Sequence, residues 1–370
     1  MKFAILLLLF ACSLLSIAQI ENLEERFALP EQVTESSGLI FFNGKLISHN
    51  DSGNENVLFE IDTASGLVSR TVVITNATNT DWEELTQDDT YIYIADIGNN
   101  SGDRTDLKIY KITKADYLIA DEVSADIIYF SYADQTTFTP NPENTEWDAE
   151  ALLSFDADNL ILFTKNWVNQ STKAYLIPTI SGTHVVNPLP SILYDAGLIT
   201  GATCNGLTGK IYLMGYTTTL QPFVWKIENY TDQDVLSGVA TRIFLPELSF
   251  EQTEAITSVD ANHYFITSES FSVGILADYG KCIAFTTDDY LLSATSSMDQ
   301  TISVFPNPAS DYIQMAPGMA SELFTVINAG GTVMCRGIVS EQGSIDIRSL
   351  PNGCYILQLN NGCATPFMKK

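Results

Sequence analysis

The sequence predicts an all-β chain: a closed ring of repeated sheets, followed by a second, smaller all-β unit. Three observations carry this. Short runs rich in Val, Ile, Tyr and Phe alternate with Gly, Asn and Asp turns from Glu21 to about residue 295, and none has a sustained helical period. The runs are apolar at consecutive positions, as in Tyr91-Ile92-Tyr93-Ile94 and Leu160-Ile161-Leu162-Phe163, which suits strands covered on both faces. The pattern also recurs as a unit of about fifty residues with four strands, the repeat that a β-propeller needs. Five blades fit the count. Six is the alternative, because residues 113–146 are long enough to hide extra strands, and two stacked sandwiches is the other reading.

Taken in order, the chain begins with Met1-Lys2, an apolar run over 3–15, and Ser16-Ile17-Ala18 before Gln19. This pattern predicts a secretory signal peptide over 1–18, too short for a membrane span. Cys12 raises a lipoprotein site, but the apolar residues continue to Ile17 and favour ordinary cleavage. The repeats fill 19–295. Each opens on a short step: Ser37-Gly38-Leu39, Glu83-Glu84-Leu85, Glu150-Ala151-Leu152, Gly201-Ala202-Thr203 and Glu254-Ala255-Ile256. A second strand then ends in a polar residue, at Asp51, Asp96, Lys165, Tyr216 and Glu269. A third strand follows, as at Val57-Leu58-Phe59-Glu60-Ile61 and Phe223-Val224-Trp225-Lys226-Ile227. The first four copies have a fourth strand and the fifth lacks one. The chain starts with an orphan, Arg26-Phe27-Ala28-Leu29-Pro30, that resembles Arg242-Ile243-Phe244-Leu245-Pro246. Residues 25–29 are therefore expected to complete the last blade and close the ring.

The segment 296–370 reads as a small β-sandwich. Its features are Pro306-Asn307-Pro308, a turn from Asn328 to Val333, Leu350-Pro351-Asn352-Gly353 before Tyr355, and a basic end at Met368-Lys369-Lys370. These elements, in this order, resemble the type A C-terminal sorting domain of the type IX secretion system of Bacteroidota. The turn Asn328-Ala329-Gly330-Gly331-Thr332 departs from the Asp and Gly-Lys expected there. The resemblance implies export across the outer membrane by that machinery, with surface attachment or release.

Composition bounds the partners. The 370 residues carry 45 acidic and 18 basic side chains, a net charge of −27, which argues against nucleic acid and against an anionic membrane surface. No apolar stretch beyond the leader is long enough to span a bilayer. Cys204, Cys282, Cys335, Cys354 and Cys363 follow the leader without metal-ligand spacing; a Cys335–Cys354 or Cys354–Cys363 bridge is left open.

Topology predicts where chemistry gathers. The start of a blade's first strand and the end of its antiparallel second strand share one rim beside the central channel. That rim collects Glu83, Glu150 and Glu254 with Asp51, Asp96, Lys165, Tyr216 and Glu269. Glu35, Asp81 and Asp148 are expected just outside. Crowded carboxylates repel unless neutralised, so Glu83, Glu150, Glu254, Asp51 and Asp96 form a candidate calcium site. Two similar loops, Asn50-Asp51-Ser52-Gly53-Asn54 and Ala95-Asp96-Ile97-Gly98-Asn99-Asn100, offer short oxygen ligands, Asn99 among them, although Asp-x-Gly-Asn is equally ordinary turn chemistry. Trp82 and Trp167 are candidate platforms for a sugar or peptide, and Trp147 lies near them. His49 is the one histidine at this rim and a weak candidate base.

Two function classes stay open. One is a binding module that holds a glycan, peptide or protein partner, with or without calcium. The other is a calcium-dependent propeller hydrolase, lactonase- or phosphatase-like.

Overall fold

The structure, a computed structural model, describes residues 20–248, 250–273, 276–289, 304–315, 323–328, 333–340, 342–359 and 364–370. The expected leader over 1–18 and residues 329–332 of the Asn328–Val333 turn lie outside them, as does Cys363. The chain divides into two compact units, Met1–Tyr290 and Leu291–Lys370.

The first unit is a five-bladed propeller. Blade one runs from the axis outward through Ser36–Phe42, Lys45–Asn50, Val57–Asp62 and Val68–Ile74. Blade two uses Trp82–Gln87, Tyr91–Asp96, Lys108–Thr113 and Asp126–Tyr132; blade three uses Ala149–Ser154, Asn159–Thr164, Thr172–Pro178 and Pro188–Leu193. Blade four is Leu198–Asn205, Lys210–Tyr216, Pro222–Glu228 and Val239–Phe244. Blade five takes Thr253–Ser258, His263–Ser268 and Lys281–Thr287 from the end of the unit. Its outer strand is Ile20–Ala28 from the beginning, paired antiparallel with Lys281–Thr287. The orphan strand therefore closes the ring as expected, and it is longer than the sequence suggested. The five innermost strands pack in a closed circle, each against the next.

The consecutive apolar positions follow from this ring. Ile92 and Ile94 enter the core shared with blade one, while Tyr93 and Ala95 enter the core shared with blade three. Leu160 and Leu162 face blade two, and Ile161 and Phe163 face blade four. A strand alternates side by side, so a strand with two buried faces has no polar phase. Five cores of this kind lie between the five pairs of neighbouring blades.

The sixth-blade alternative fails. Residues 113–146 contain a short helix, Lys114–Ile119, and a two-residue strand, Glu122–Val123, which extends blade one in parallel. They also contain blade two's own fourth strand. A second unforeseen strand, Gly182–Val186, adds in parallel to the outer edge of blade two. Among the described residues no helix is long and apolar enough to cross a membrane.

The second unit is a small β-sandwich. Val304–Phe305, Tyr312–Met315 and Ser344–Asp346 form one sheet, and Leu323–Asn328, Val333–Ile338, Gly353–Leu359 and Ala364–Lys369 form the other. One core joins them, including Ile313, Val326, Ile345, Leu357 and Phe367. The Asn307 side chain accepts from the Met368 amide at 2.9 Å, so the Pro-Asn-Pro segment is clasped to the basic end. Cys335 and Cys354 are free thiols, so the bridge between them is not formed.

Candidate functional site

In every blade the innermost strand carries a bulge at its upper end. The register skips one residue at Ser37, Glu83, Glu150, Thr200 and Glu254. A bulge re-aims one side chain at the end of a ladder, and here it turns three glutamates to the mouth. The register also corrects two alignments. The fourth step begins at Thr200, not Gly201. The second-strand ends equivalent to Asp51 are Ile97, Lys165, Tyr216 and Glu269, so Asp96 falls one residue short. One residue of slip reverses a strand side chain. Asp96 is fully buried, 2.7 Å from Arg104 and 3.1 Å from Lys108.

The mouth holds a tight carboxylate group. Asp51, Asp81 and Glu83 each place an oxygen within 4.8 Å of the other two. Asp81 was expected just outside and is instead part of the centre. Beneath them lies Gly98, where an added Cβ would press into Glu83 Oε1 and Asp81 Oδ2. Asn79, which sequence reasoning passed over, fixes this corner. Its Nδ2 donates to the carbonyls of Asn50 at 3.0 Å and Asp51 at 2.7 Å, while its Oδ1 accepts from Trp82 N at 3.1 Å.

Lys165 serves the other side of the mouth. Its ammonium lies 2.6 Å from both oxygens of Glu150 and donates to Tyr216 Oη at 3.3 Å. It also stands 5.0 Å from the Trp167 ring centre. Burial opposes this charge, yet Glu150, Tyr216 and Glu254 hold the ammonium well above the usual lysine range. The indole of Trp167 donates to Asp148 Oδ2 at 2.7 Å.

The carboxylates are pushed up. Burial, then the charges of Asp51 and Asp148, raise Asp81 to about 7. Glu83 stands well above its ordinary value through burial and the charge of Glu150. Burial raises Glu254 to about 8, offset in part by Lys165, and raises Glu269 to about 8 with Asp51 adding to it. Burial is the first cause of each shift, and carboxylates displaced together in this way mark a functional-site candidate.

Other expectations are corrected. His49 is fully buried, with its ring edge-on to Trp82 at 5.4 Å, and burial lowers its pKa to about 4. It follows Ile47 on the face that packs between blades one and two, so it is no base for the mouth. Trp82 is fully buried in the same core and offers no platform. Asn99 works as a turn and tie: its Nδ2 donates to Trp147 O, and its Oδ1 accepts from Arg104 N. His184 and His263 both lie away from the mouth, on outer or lower segments.

The residue sequence reasoning undervalued is Glu84. It is fully buried, and its carboxylate crosses the axis. Oε1 accepts from Leu85 N and Oε2 from Ala202 N of blade four, both at 2.9 Å. The register places Gly38, Ala151, Gly201 and Ala255 at the equivalent positions. One glutamate among four Gly or Ala positions was the available signal.

Comparison with known proteins bears on the two units unequally. Residues 303–370 match the family described as Secretion system C-terminal sorting domain. The chain therefore carries a type IX secretion sorting domain, which implies export to the cell surface or extracellular space. No curated protein matches the chain. Solved structures similar to it include the PQQ-bound aldose sugar dehydrogenase of Streptomyces coelicolor, at 9% identity and TM-score 0.41, over 72% of this chain and 98% of that one. Another is PorZ, a surface component of the type IX secretion system of Porphyromonas gingivalis, at 11% identity and TM-score 0.31, over 93% of this chain and 60% of that one. The WD40 β-propeller domain of Doa1 is similar at 11% identity and TM-score 0.31, over 93% and 96%. At these identities no activity carries over.

Proposed function

We propose that this exported propeller is a binding module whose upper mouth takes one calcium ion on Asp51, Asp81 and Glu83. The ion, with Lys165 and Trp167 beside it, would engage an extracellular glycan, peptide or protein partner. The observation that carries the reading is the mutual approach of those three carboxylates within 4.8 Å. Calcium takes carboxylate oxygens at about 2.3–2.6 Å, which suits donors so spaced, and the donor set contains no sulfur or imidazole. Charge supports the same reading. Glu150 already has Lys165, and Asp96 already has Arg104 and Lys108. The Asp51–Asp81–Glu83 corner is where a cation would relieve most repulsion. The hydrolase reading has less support, because the base it relied on, His49, is enclosed against Trp82.

Calorimetric titration of the full chain with calcium tests this. The expected result is one binding event and a raised melting temperature, both lost in Asp81→Asn and kept in Asp96→Asn. An unchanged heat signal and melting temperature would overturn it. A lactone and phosphoester screen of the calcium-loaded protein is expected to show no turnover.

A further inference from the structure

The opposite rim holds a second cavity, unrelated to the acidic mouth. It lies where innermost strands end and second strands begin, and has a volume of about 800 Å³. Ligand pockets commonly measure about 300–1,000 Å³. Blades one to four all contribute to it. Phe41 and Phe42 come from blade one, Gln87 and Tyr91 from blade two, Phe155 from blade three and Cys204 from blade four. At its inner end Gln87, Ser154 and Cys204 also line a small axial cavity of about 80 Å³, floored by Thr86, Thr203 and Thr257.

We propose that this lower-rim cavity is a binding site for a neutral oligosaccharide. Of the four partly buried aromatic side chains in the cavity, Phe42 and Tyr91 carry lysines over their rings, which leaves Phe41 and Phe155 as the aromatic surface for the C–H face of a pyranose. Gln87 offers an acceptor. Its Nε2 donates to Phe41 O at 2.8 Å, which fixes the amide, and its Oε1 is buried without a partner among the described residues. That oxygen has almost no exposed surface. A sugar hydroxyl, a donor of the right kind, reaches it only as the Gln87 side chain shifts toward the cavity, and satisfying a buried acceptor otherwise left unmade favours that shift. Charge selects a neutral ligand. Asp88, Asp89 and Asp156 at the cavity repel anions. Cations meet places already filled, since Lys114 Nζ stands 4.6 Å from the Phe42 ring centre and Lys111 Nζ 3.8 Å from that of Tyr91.

The test is calorimetric titration of the full chain with cellohexaose, xylohexaose, maltohexaose and mannohexaose, beside a galacturonic acid oligomer and hexalysine. At least one neutral sugar is expected to bind with a Kd between about 10 μM and 1 mM. Phe155→Ala is expected to weaken that binding tenfold or more, and Gln87→Met several-fold. Should Phe155→Ala fail to fold, Phe155→Leu replaces it. Val239→Ser, on the outer strand of blade four, serves as the neutral control. The proposal is overturned if no neutral sugar binds at up to about 5 mM, if only a charged probe binds, or if the Phe155 and Gln87 variants bind as the parent does. The site does not depend on the calcium reading, because chelation of calcium should leave sugar binding intact.

Discussion

The two rims of the propeller are made by the same five strand pairs and differ in nearly everything else. At the upper rim bulges turn Glu83, Glu150 and Glu254 to the mouth, and Asp51, Asp81, Asp148 and Glu269 crowd around them. At the lower rim the ladders run out without bulges and present Phe41, Tyr91 and Phe155 with Gln87. The upper rim is short of cations, and the lower rim already has lysines on its rings. Between the rims sits the Glu84 carboxylate, which spans from blade two to blade four. A repeat fixes the scaffold. Local deviations from it, a bulge or one large residue among small ones, decide what each face can bind.

The largest expected effect is at the divider. Glu84→Ala removes the acceptor of two buried amides at the axis, and each orphaned donor costs about 1–3 kcal/mol. A loss of about 2–6 kcal/mol is expected in urea unfolding, with Glu84→Gln losing less. A Glu84→Ala protein with unchanged stability would show that the carboxylate ties nothing.

The rims should also respond to pH differently. Asp81 is raised to about 7, and Glu254 and Glu269 to about 8. An acid raised in the folded state binds more protons there than in the unfolded chain, so its stabilisation is full below the ordinary carboxylate range and is lost as pH rises through 7 to 8. With calcium chelated, stability should therefore fall from pH 5 to pH 8 by a few kcal/mol. Added calcium should flatten the slope, because the ion replaces the protons. The melting temperature across that range, with and without chelator, checks it. A rising curve in chelator would contradict the charge shortage assigned to the upper rim.

Gly98→Ala is a narrower probe of the same rim. The new Cβ would press on Glu83 and Asp81, whose carboxylates can swing aside at small cost to folding. Calcium affinity should drop about tenfold, near 1.4 kcal/mol, while sugar binding at the lower rim is unaffected. Equal losses at both rims would mean the change spreads through the ring.

Much of this was legible in the sequence. The repeat and its closing strand were, because a strand buried on two faces has a distinctive run and the Arg26-Phe27-Ala28-Leu29-Pro30 orphan had a visible partner motif. The tail was legible from its ordered motifs. Parity at the strand ends was not. Bulges shift register by one residue without altering composition, which moved Asp96 from mouth to core and hid the equivalence of Ile97 with Asp51. His49 and Trp82 were misplaced for the same reason, since nothing local says which face of a strand a residue takes. The parallel additions Glu122–Val123 and Gly182–Val186 were missed because two to five residues carry no period.

The smallest effect concerns a strained residue of the upper rim. Phe250 is exposed and holds φ at +72, in the left-handed region that a bulky side chain rarely adopts. Its amide donates to Leu220 O at 2.7 Å, which pins the backbone there. Asn tolerates that conformation better, so Phe250→Asn should gain about 0.5–1 kcal/mol, read as a rise of a few degrees in melting temperature. The exposed ring has little packing to offset that strain. The substitution should therefore stabilise the fold and leave calcium affinity unchanged. If stability falls instead, the ring is holding the loop.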